Sequence, residues 1–244
     1  DSGSLVFIDA PDYEIKSSYS ILVTATGGNG STEQTVNVVI NNLNDNSPLI
    51  TSSNTFSADE NQTSIGSIVA EDADGDSISY SISSNDILID PNNGLIVFSS
   101  SPDYETISSY SAIVSVSDGE NSSSQVITVN INNLNDNSPI FTSSSTFSIN
   151  ENELAVATVT ATDADNDDIT FTVSGSDLSI TSNGVLTFNS APDFESQSTY
   201  SATISASDSL NISQQTINIS IVDVNEAPQI TSNSSFTIDE NETE

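Results

Sequence analysis

The sequence predicts an all-β protein in which seven-stranded β-sandwiches follow one another in a linear array. The 27 isoleucines and 17 valines far outnumber the 11 leucines among the 244 residues, and β-branched side chains suit a pleated sheet better than a helix. Apolar residues alternate with polar ones in short runs, and nothing shows a 3.6-residue stripe. The same short motifs return about every ninety residues. Together these observations indicate a tandem repeat of one small β domain.

The hydrophobic content is high enough for the chain to fold despite its charge. Leu, Ile, Val and Phe make up 64 of the 244 residues, while 35 acids against one Lys or Arg give a formal charge of −34. Acidic chains tend to stay unfolded when these four residue types fall below roughly 20% of the sequence. We therefore expect folded domains in a medium that supplies cations as ligands or as screening salt.

Four motifs keep one order and one period along the chain. They are Pro-Asp-Tyr-Glu at 11–14 and 102–105 with Pro-Asp-Phe-Glu at 192–195; Glu-Asn at 60–61, 151–152 and 240–241; Leu-Asn-Asp-Asn-Ser-Pro at 43–48 and 134–139; and Val-Asn-Glu-Ala-Pro at 224–228. They predict the second half of a repeat at 1–47, complete repeats at 48–138 and 139–227, and the start of another at 228–244. We interpret the chain as an excerpt from a longer array, or as units completed by neighbouring copies.

Alternating runs place the strands within the repeat at 48–138. The run at 125–132 puts Ile127, Val129 and Ile131 on one apolar face, as a half-buried strand requires. The predicted strands are Leu49–Phe56, Ser67–Glu71, Ser77–Ser83, Asp86–Ile89, Leu95–Phe98, Ser109–Ser117 and Gln125–Asn132. About seven short strands in some ninety residues describe a β-sandwich.

The composition excludes several classes of function. Histidine, cysteine, methionine and tryptophan are absent, so there is no disulfide, no thiolate or imidazole metal site, and no nucleophile activated by histidine. A chain with one basic residue offers no surface for nucleic acid. No apolar run reaches 18 residues, so we expect no membrane insertion in this segment.

Many of the acids occupy fixed positions in the repeat, at the ends of predicted strands. Strands traced up and down bring these ends together where one repeat meets the next, so that at least six carboxylates converge on a junction. Such a junction is repulsive unless a cation fills it. Carboxylate and amide oxygens suit Ca²⁺, whereas Mg²⁺ prefers to keep its waters. Each Asp-rich motif taken alone could equally be a turn former.

These motifs resemble the calcium motifs of cadherin repeats. The likeness rests on Glu-Asn, Asp-Ala-Asp, the Asp-aromatic-Glu turn, Ser-Asp-Gly and the Asn-Asp-Asn-x-Pro linker, it covers the whole chain, and it is closest to the cadherin-like repeats of large bacterial surface proteins and adhesins. It implies Greek-key, Ig-like sandwiches with several Ca²⁺ ions at each junction between successive repeats.

The resemblance also implies which residues bind calcium. The junction between the two complete repeats would use Glu60, Asp103, Glu105, Asn135, Asp136, Asn137, Asp163, Asp165 and Asp208. The junction before it would use Glu14, Asn44, Asp45, Asn46, Asp72, Asp74 and Asp118. The junction after it would use Glu151, Glu195, Asp223, Asn225 and Glu226. The leading Asp of the family's linker is replaced by Asn42 in one linker and by Asn133 in the next, so each of these sites loses a charge.

The function that this resemblance implies is a calcium-stiffened spacer, stalk or filament region of an extracellular, cell-surface adhesion protein. Its expected partners are calcium, the neighbouring repeats of the same chain, and either other copies of the chain or surface glycans. A calcium-dependent glycan-binding module is the alternative. An enzyme is not expected, because nearly every prominent acid recurs with the repeat whereas a catalytic site is singular; an accessory region of a carbohydrate-active enzyme is the remote third case.

Overall fold

The structure, a computed structural model, describes residues 3–235 and 237–241. The chain divides into two compact units, Asp1–Leu134 and Asn135–Glu244. Every regular element of the described residues is a β-strand, which confirms the predicted all-β class. Among these residues no helix has the length and apolar character needed to cross a bilayer.

The first unit opens with a hairpin. Strands β1 (Ser18–Gly27) and β2 (Gly30–Val39) pair antiparallel over ten residues each, from Ser18 opposite Val39 to Gly27 opposite Gly30. Gly30, the first residue of β2 after the turn, has φ at +140°, a backbone conformation that glycine adopts without steric cost.

A sandwich follows in the same unit. Its strands are β3 (Leu49–Ile50), β4 (Thr55–Asp59), β5 (Ser64–Ser67), β6 (Ala70–Glu71), β7 (Ser79–Ser83), β8 (Ile87–Ile89), β9 (Leu95–Phe98), β10 (Ser109–Ser117) and β11 (Ser122–Asn132). One sheet has the order β4-β11-β10-β7, with β4 parallel to β11 and the other pairs antiparallel. The facing strands form β5-β9-β8 and the short pair β3-β6. The strand prediction is confirmed at both ends for β9 and β10.

The predicted opening strand Leu49–Phe56 is wrong as a single element. The chain leaves the first sheet after β3, which pairs with β6, and joins the four-stranded sheet as β4. Between them the backbone N–H groups of Thr51 and Ser52 both donate to the carbonyl of Val69. The predicted strand Ser67–Glu71 is divided for the same reason, since β5 pairs with β9 and β6 with β3.

The core of this sandwich is built from the inward faces of the strands. Ile127, Val129 and Ile131 are buried as predicted, and Val114 on the neighbouring strand β10 is fully buried. Burying such side chains stabilises the sandwich by about 1.5–3 kcal/mol each before entropy is subtracted. The face of the sheet is therefore set by the period-two pattern of the sequence.

The second unit repeats this architecture. Its strands are β12 (Ile140–Phe141), β13 (Thr146–Asn150), β14 (Ala155–Thr158), β15 (Ala161–Thr162), β16 (Thr170–Val173), β17 (Leu178–Ile180), β18 (Val185–Phe188), β19 (Thr199–Ser207) and β20 (Ile212–Val222). The sheets are β13-β20-β19-β16, β14-β18-β17 and β12-β15, with β13 parallel to β20. The predicted start of a further repeat at 228–244 falls partly on residues 236 and 242–244, which lie outside the described residues.

One glycine in each sandwich lies against a carbonyl of a neighbouring strand. A Cβ on Gly184, at φ +88°, would lie 2.1 Å from the backbone oxygen of Val159. A Cβ on Gly94 would lie 2.3 Å from the backbone oxygen of Ile68. The N–H of Val159 donates to the carbonyl of Gly184 at 2.8 Å. A side chain at either glycine would force these two segments apart.

We expect Gly184→Ala to destabilise the second unit by about 2 kcal/mol more than Gly175→Ala does, since only the first creates a backbone clash. Gly175 is the matched control, because it has φ +89° and an added Cβ would meet nothing within 4 Å in the described part of the chain. Urea unfolding followed by circular dichroism measures the difference. Equal losses for the two variants would contradict the close approach.

Candidate metal centres

The negative charge of the molecule is concentrated outside its strands. Of the 35 acids in the sequence, only Glu33, Asp59 and Glu71 lie within the strands that the structure describes. The sheets carry mainly Ser, Thr and Asn on their exposed faces, and the carboxylates lie in the loops that join the strands. Any cation site is therefore formed by loops at the ends of a sandwich.

Asp74 holds the linker of the first unit. It is 9% exposed, and its Oδ2 accepts the backbone N–H groups of Asp45 at 3.1 Å and Asn46 at 2.8 Å. Its Oδ1 accepts the side-chain amide of Asn46 at 2.8 Å. Burial acts to raise the pKa of Asp74, but these hydrogen bonds outweigh it and hold the pKa below its ordinary value.

Two other carboxylates beside this linker use only one of their oxygens. Oδ1 of Asp72 accepts the N–H groups of Asp74 and Asp76, and Oδ1 of Asp118 accepts those of Glu120 and Asn121. Among the described residues, the Oδ2 atoms of Asp72 and Asp118 are buried and have no hydrogen-bond donor. Buried carboxylate oxygens normally have a partner, so each is a candidate ligand for a cation.

Glu14 completes this group from the hairpin side of the same unit. One carboxylate oxygen each of Glu14, Asp45 and Asp74 lies within 4.8 Å of the others. A backbone hydrogen bond acts to lower the pKa of Glu14, but burial and the charge of Asp74 prevail and raise it. Both burial and a nearby negative charge disfavour the ionised form of a carboxyl group.

A second acidic group lies at the opposite end of this sandwich. Glu60 is 2% exposed and its two oxygens accept the backbone N–H groups of Tyr104 at 2.8 Å and Leu134 at 2.7 Å. Oxygens of Glu60, Asp103 and Glu105 lie within 4.8 Å of one another. A hydrogen bond from the Thr106 hydroxyl, opposed by burial, lowers the pKa of Asp103. Glu60 thus connects the Asp-Tyr-Glu turn to the start of the linker.

The second unit has the same arrangement around its linker. Oδ2 of Asp165 accepts the N–H groups of Asp136 at 3.0 Å and Asn137 at 2.9 Å. Within the described residues, Oδ2 of Asp163 is again buried without a donor. Burial and then the charges of Asp163 and Asp165 raise the pKa of Asp167. Burial also acts to raise the pKa of Asp208, but hydrogen bonds from neighbouring backbone N–H groups outweigh it and lower that pKa.

The other end of the second unit repeats the site around Glu60. Glu151 is 2% exposed and accepts the N–H groups of Phe194 at 3.0 Å and Val224 at 2.7 Å. Oxygens of Glu151, Glu195 and Asp223 lie within 4.8 Å of one another. A backbone hydrogen bond acts to lower the pKa of Glu195, but burial and the charges of Glu151 and Glu226 raise it.

The structure brings most of the predicted ligands together within each unit. Those that share a group or a hydrogen bond with another predicted residue are Glu14, Asn44, Asp45, Asn46, Asp72, Asp74, Asp118, Glu60, Asp103, Glu105, Asp136, Asn137, Asp163, Asp165, Asn135, Asp208, Glu151, Glu195 and Asp223. Asn225 is exposed, and no hydrogen bond in the described part of the chain ties it to the group around Glu151. The junction predicted between the two complete repeats stays a prediction, as does every assignment of a calcium ligand.

Three asparagines beside these sites were not predicted as functional residues. Asn121 and Asn211 donate their side-chain amides to the linkers, and Asn42 donates to the carbonyl of Asp74 at 2.7 Å. A signal for the first two exists in the sequence, because each follows the aspartate at the end of the long strand by three residues, at 118 and 208. Asn42 was interpreted only as the loss of a charge.

The donor set fits a hard cation. It consists of carboxylate, amide and carbonyl oxygens, and three of the aspartates have a buried carboxylate oxygen that nothing in the described chain satisfies. Six to eight oxygens at 2.3–2.6 Å are the typical surroundings of Ca²⁺. The groups lie in loops at the ends of the sandwiches.

The sequence matches two models of known families, one for each complete repeat. Residues 54–132 match the model described as the cadherin domain. Residues 135–220 match the model described as a bacterial Ig domain. The sandwiches of both units are cadherin-like in strand order, so the matches and the fold agree.

Similar proteins include very large animal cadherins. The chain is 32% identical over 158 residues to human protocadherin Fat 1, covering 58% of this chain and 3% of that protein. It is 33% identical over 156 residues to pig protocadherin-11 X-linked, covering 57% of this chain and 14% of that protein. The chain thus spans only a small part of the length of these relatives.

Solved cadherin structures share the fold. The mouse clustered protocadherin PcdhgC3 EC1-3 matches with a TM-score of 0.74 at 22% identity, covering 88% of this chain and 82% of that one. Mouse cadherin-23 EC22-24 matches with a TM-score of 0.68 at 23% identity, covering 88% and 78%. These matches confirm the predicted tandem cadherin-like β-sandwiches.

The comparisons confirm part of the predicted identity. The cadherin resemblance is confirmed, whereas the narrower likeness to bacterial surface proteins is not, because the relatives above are animal proteins. Matched structures are described as an ectodomain or as extracellular cadherin domains, which agrees with the predicted extracellular location. These relatives are named as cadherins and protocadherins.

The cadherin-like fold generates a prediction for Glu151. We expect Glu151→Gln to destabilise the metal-free second unit by about 1–3 kcal/mol, because the amide end of Gln cannot accept one of the two buried backbone N–H groups. Glu153→Gln, at an exposed position of the same turn, removes the same charge and should change the free energy of unfolding little. Chemical unfolding in EDTA compares the two. A stable Glu151→Gln variant would contradict the structural role of this carboxylate.

Proposed function

We propose that this chain is a calcium-stiffened spacer in the extracellular part of an adhesion protein. The repeats supply length, and calcium bound at each junction between them supplies stiffness. The chain would hold a more distal binding region away from the cell surface, or form part of an extracellular filament. In this proposal the chain serves by its length and stiffness rather than by a reaction.

One observation carries the proposal: buried carboxylate oxygens lie without a hydrogen-bond donor beside each linker of the described chain. These are the Oδ2 atoms of Asp72 and Asp118 at one linker and of Asp163 at the other. The second oxygen of each of these groups is used for holding the loop. A divalent cation supplies the missing partner and balances the charge of Asp74, which together with burial raises the pKa of Glu14.

The relatives support the same assignment. Cadherin repeats generally bind calcium and occur in extracellular adhesion proteins, and the first complete repeat is a cadherin domain. The match of 135–220 to a bacterial Ig domain supports a bacterial surface protein as the source. Protocadherin structures among the matches favour contact between copies of the chain as a further property. Glycan binding finds no support in these relatives.

Removal of calcium should change the dimensions of the chain but not its strands. We expect EDTA to lower the radius of gyration measured by small-angle X-ray scattering and to leave the far-ultraviolet circular dichroism nearly unchanged, because the cores contain no predicted ligand. Calcium should restore the original radius, and equimolar magnesium should restore it less. An unchanged radius on chelation would defeat the proposal.

A pair of isosteric variants separates specific sites from general screening. Asp72→Asn with Asp163→Asn keeps the Oδ1 acceptors and replaces only the oxygens that lack donors. Asp86→Asn with Asp177→Asn removes the same number of charges at exposed positions elsewhere. The first pair should lose most of the calcium response and the second pair should keep it. Equal calcium responses of the two pairs would mean that calcium acts only by screening charge.

Calcium binding should release protons at mildly acidic pH. The pKa values of Glu14 and Glu195 are raised, so these groups hold protons at a pH where ordinary glutamates are already ionised. A cation must displace those protons, so its affinity falls as the pH is lowered through the titration of these groups. Calorimetry in two buffers of different ionisation enthalpy measures the release, which Glu14→Gln with Glu195→Gln should reduce. Affinity that stays constant as the pH is lowered through that titration would contradict the raised pKa values.

A further inference from the structure

Each linker is fastened to the sandwich that follows it by the side-chain amide of one asparagine. The asparagine is Asn121 in the first unit and Asn211 in the second, and each follows the aspartate at the end of the long strand by three residues. We call these contacts the amide clamp, meaning Asn121 with the linker residues 44–46 and Asn211 with 135–137.

In the first unit the clamp acts on both sides of the linker's aspartate. Nδ2 of Asn121 donates to Oδ1 of Asn44 at 2.8 Å, and lies 3.4 Å from its carbonyl and 3.3 Å from the carbonyl of Asn46. Asn121 is itself fixed, since its backbone N–H donates to Oδ1 of Asp118 at 2.6 Å.

The second unit forms the same contacts with different neighbours in sequence. Nδ2 of Asn211 donates to Oδ1 of Asn135 at 2.6 Å and to the carbonyl of Asn137 at 3.1 Å. In return, Nδ2 of Asn135 donates to the carbonyl of Asp208 at 3.3 Å. The loop around Asp118 reads Asp-Gly-Glu-Asn and that around Asp208 reads Asp-Ser-Leu-Asn. The same contacts from different loop sequences indicate that the asparagine is the required element.

The position demands a donor. The amide nitrogen faces oxygens of the linker, so a carboxylate there would bring an acceptor against acceptors. Asn42 follows the same logic, because its Nδ2 donates to the carbonyl of Asp74 at 2.7 Å, and an aspartate at 42 could not do so. In these linkers amide donors stand at the positions that tie the chain to the sandwich.

In the first unit the clamp uses no carboxylate oxygen. It engages Oδ1 of Asn44 and backbone carbonyls, while the Oδ2 atoms of Asp72 and Asp118 keep no donor among the described residues. In the second unit Asn211 also donates to Oδ2 of Asp208 at 3.2 Å, while Oδ2 of Asp163 has no donor in the described part of the chain. We propose that Asn121 and Asn211 are positioning residues that hold the linker against the following sandwich before any cation binds. The inference rests on the proposed function for its effect on calcium, but the clamp itself is a property of the metal-free chain.

Two consequences follow from a linker that is ordered in advance. Calcium meets ligands whose conformational entropy has already been lost, which raises its affinity. The linker also moves with the following sandwich whether or not calcium is present, so that chelation frees the chain on the other side of the Asn-Asp-Asn triplet.

The test uses the full chain with Asn121→Asp and Asn211→Asp, which keep the shape of the side chain and remove the donor. Asn130→Asp and Asn218→Asp are matched controls, because they add the same charges at exposed strand positions of the same two sandwiches. Hydrogen exchange in EDTA measures how strongly four backbone amides are protected. They are the amides of Asp45, Asn46, Asp136 and Asn137, which donate to Asp74 and Asp165.

We expect these amides to be protected in the wild type and in the controls, and to exchange roughly tenfold faster in the clamp variants. Calcium affinity should fall in the clamp variants although they carry two more negative charges. Asn121→Ala with Asn211→Ala should show the same faster exchange and lower calcium affinity as the Asp variants. This comparison separates the loss of the donor from the added charge.

The outcomes distinguish this inference from the proposed function. Protection in EDTA that is unchanged in the clamp variants would overturn the clamp, as would tighter calcium binding than in the controls. Loss of protection in a protein whose radius of gyration ignores chelation would support the clamp and defeat only the calcium-stiffened spacer. Unchanged circular dichroism in all variants confirms that the sandwiches themselves remain folded.

Discussion

The arrangement of both linkers depends on one interaction, the hydrogen bonds that consecutive backbone amides donate to a buried aspartate. Asp74 accepts from Asp45 and Asn46, and Asp165 accepts from Asp136 and Asn137. Burial alone would favour the protonated acid, but several donors stabilise the charged form, as the lowered pKa of Asp74 records. The linker has a defined conformation because its backbone N–H groups must stay in place to satisfy the buried carboxylate.

This interaction also explains how the molecule tolerates its charge. Acids that occur inside strands would repel across the sheet, and the described strands contain only three of them. The other acids of the described residues lie outside the strands, where backbone N–H groups are available as donors. Many of these carboxylates use one oxygen for the loop, and some retain a second buried oxygen with no donor in the described chain. The segregation separates a neutral sandwich, which folds by burying Ile and Val, from charged ends that can bind cations.

Several features could be predicted from the sequence because they depend on local patterns. Strands β9 and β10 were predicted to the residue, since a short run of alternating apolar and polar side chains can favourably bury only one face of the strand. The candidate ligands were named from motifs that recur with the repeat, and their role in binding calcium stays a prediction. The opening strand was not, because its division into β3 and β4 depends on which sheet each half joins, and pairing partners lie far away in the chain.

Residue type and spacing are enough to predict the β class, the repeat, the cadherin-like motifs and the oxygen-only ligand set. The hydrogen-bond partner of each polar group, in contrast, depends on the folded chain. In the sequence Asn42 indicates only a lost charge, whereas in the structure its side-chain amide donates to the carbonyl of Asp74. In the sequence Asn121 is only a loop residue, whereas in the structure its side-chain amide donates to Oδ1 of Asn44. Hydrogen bonds act over about 3 Å between residues that are far apart in the chain, and that proximity exists only after the sandwich has folded.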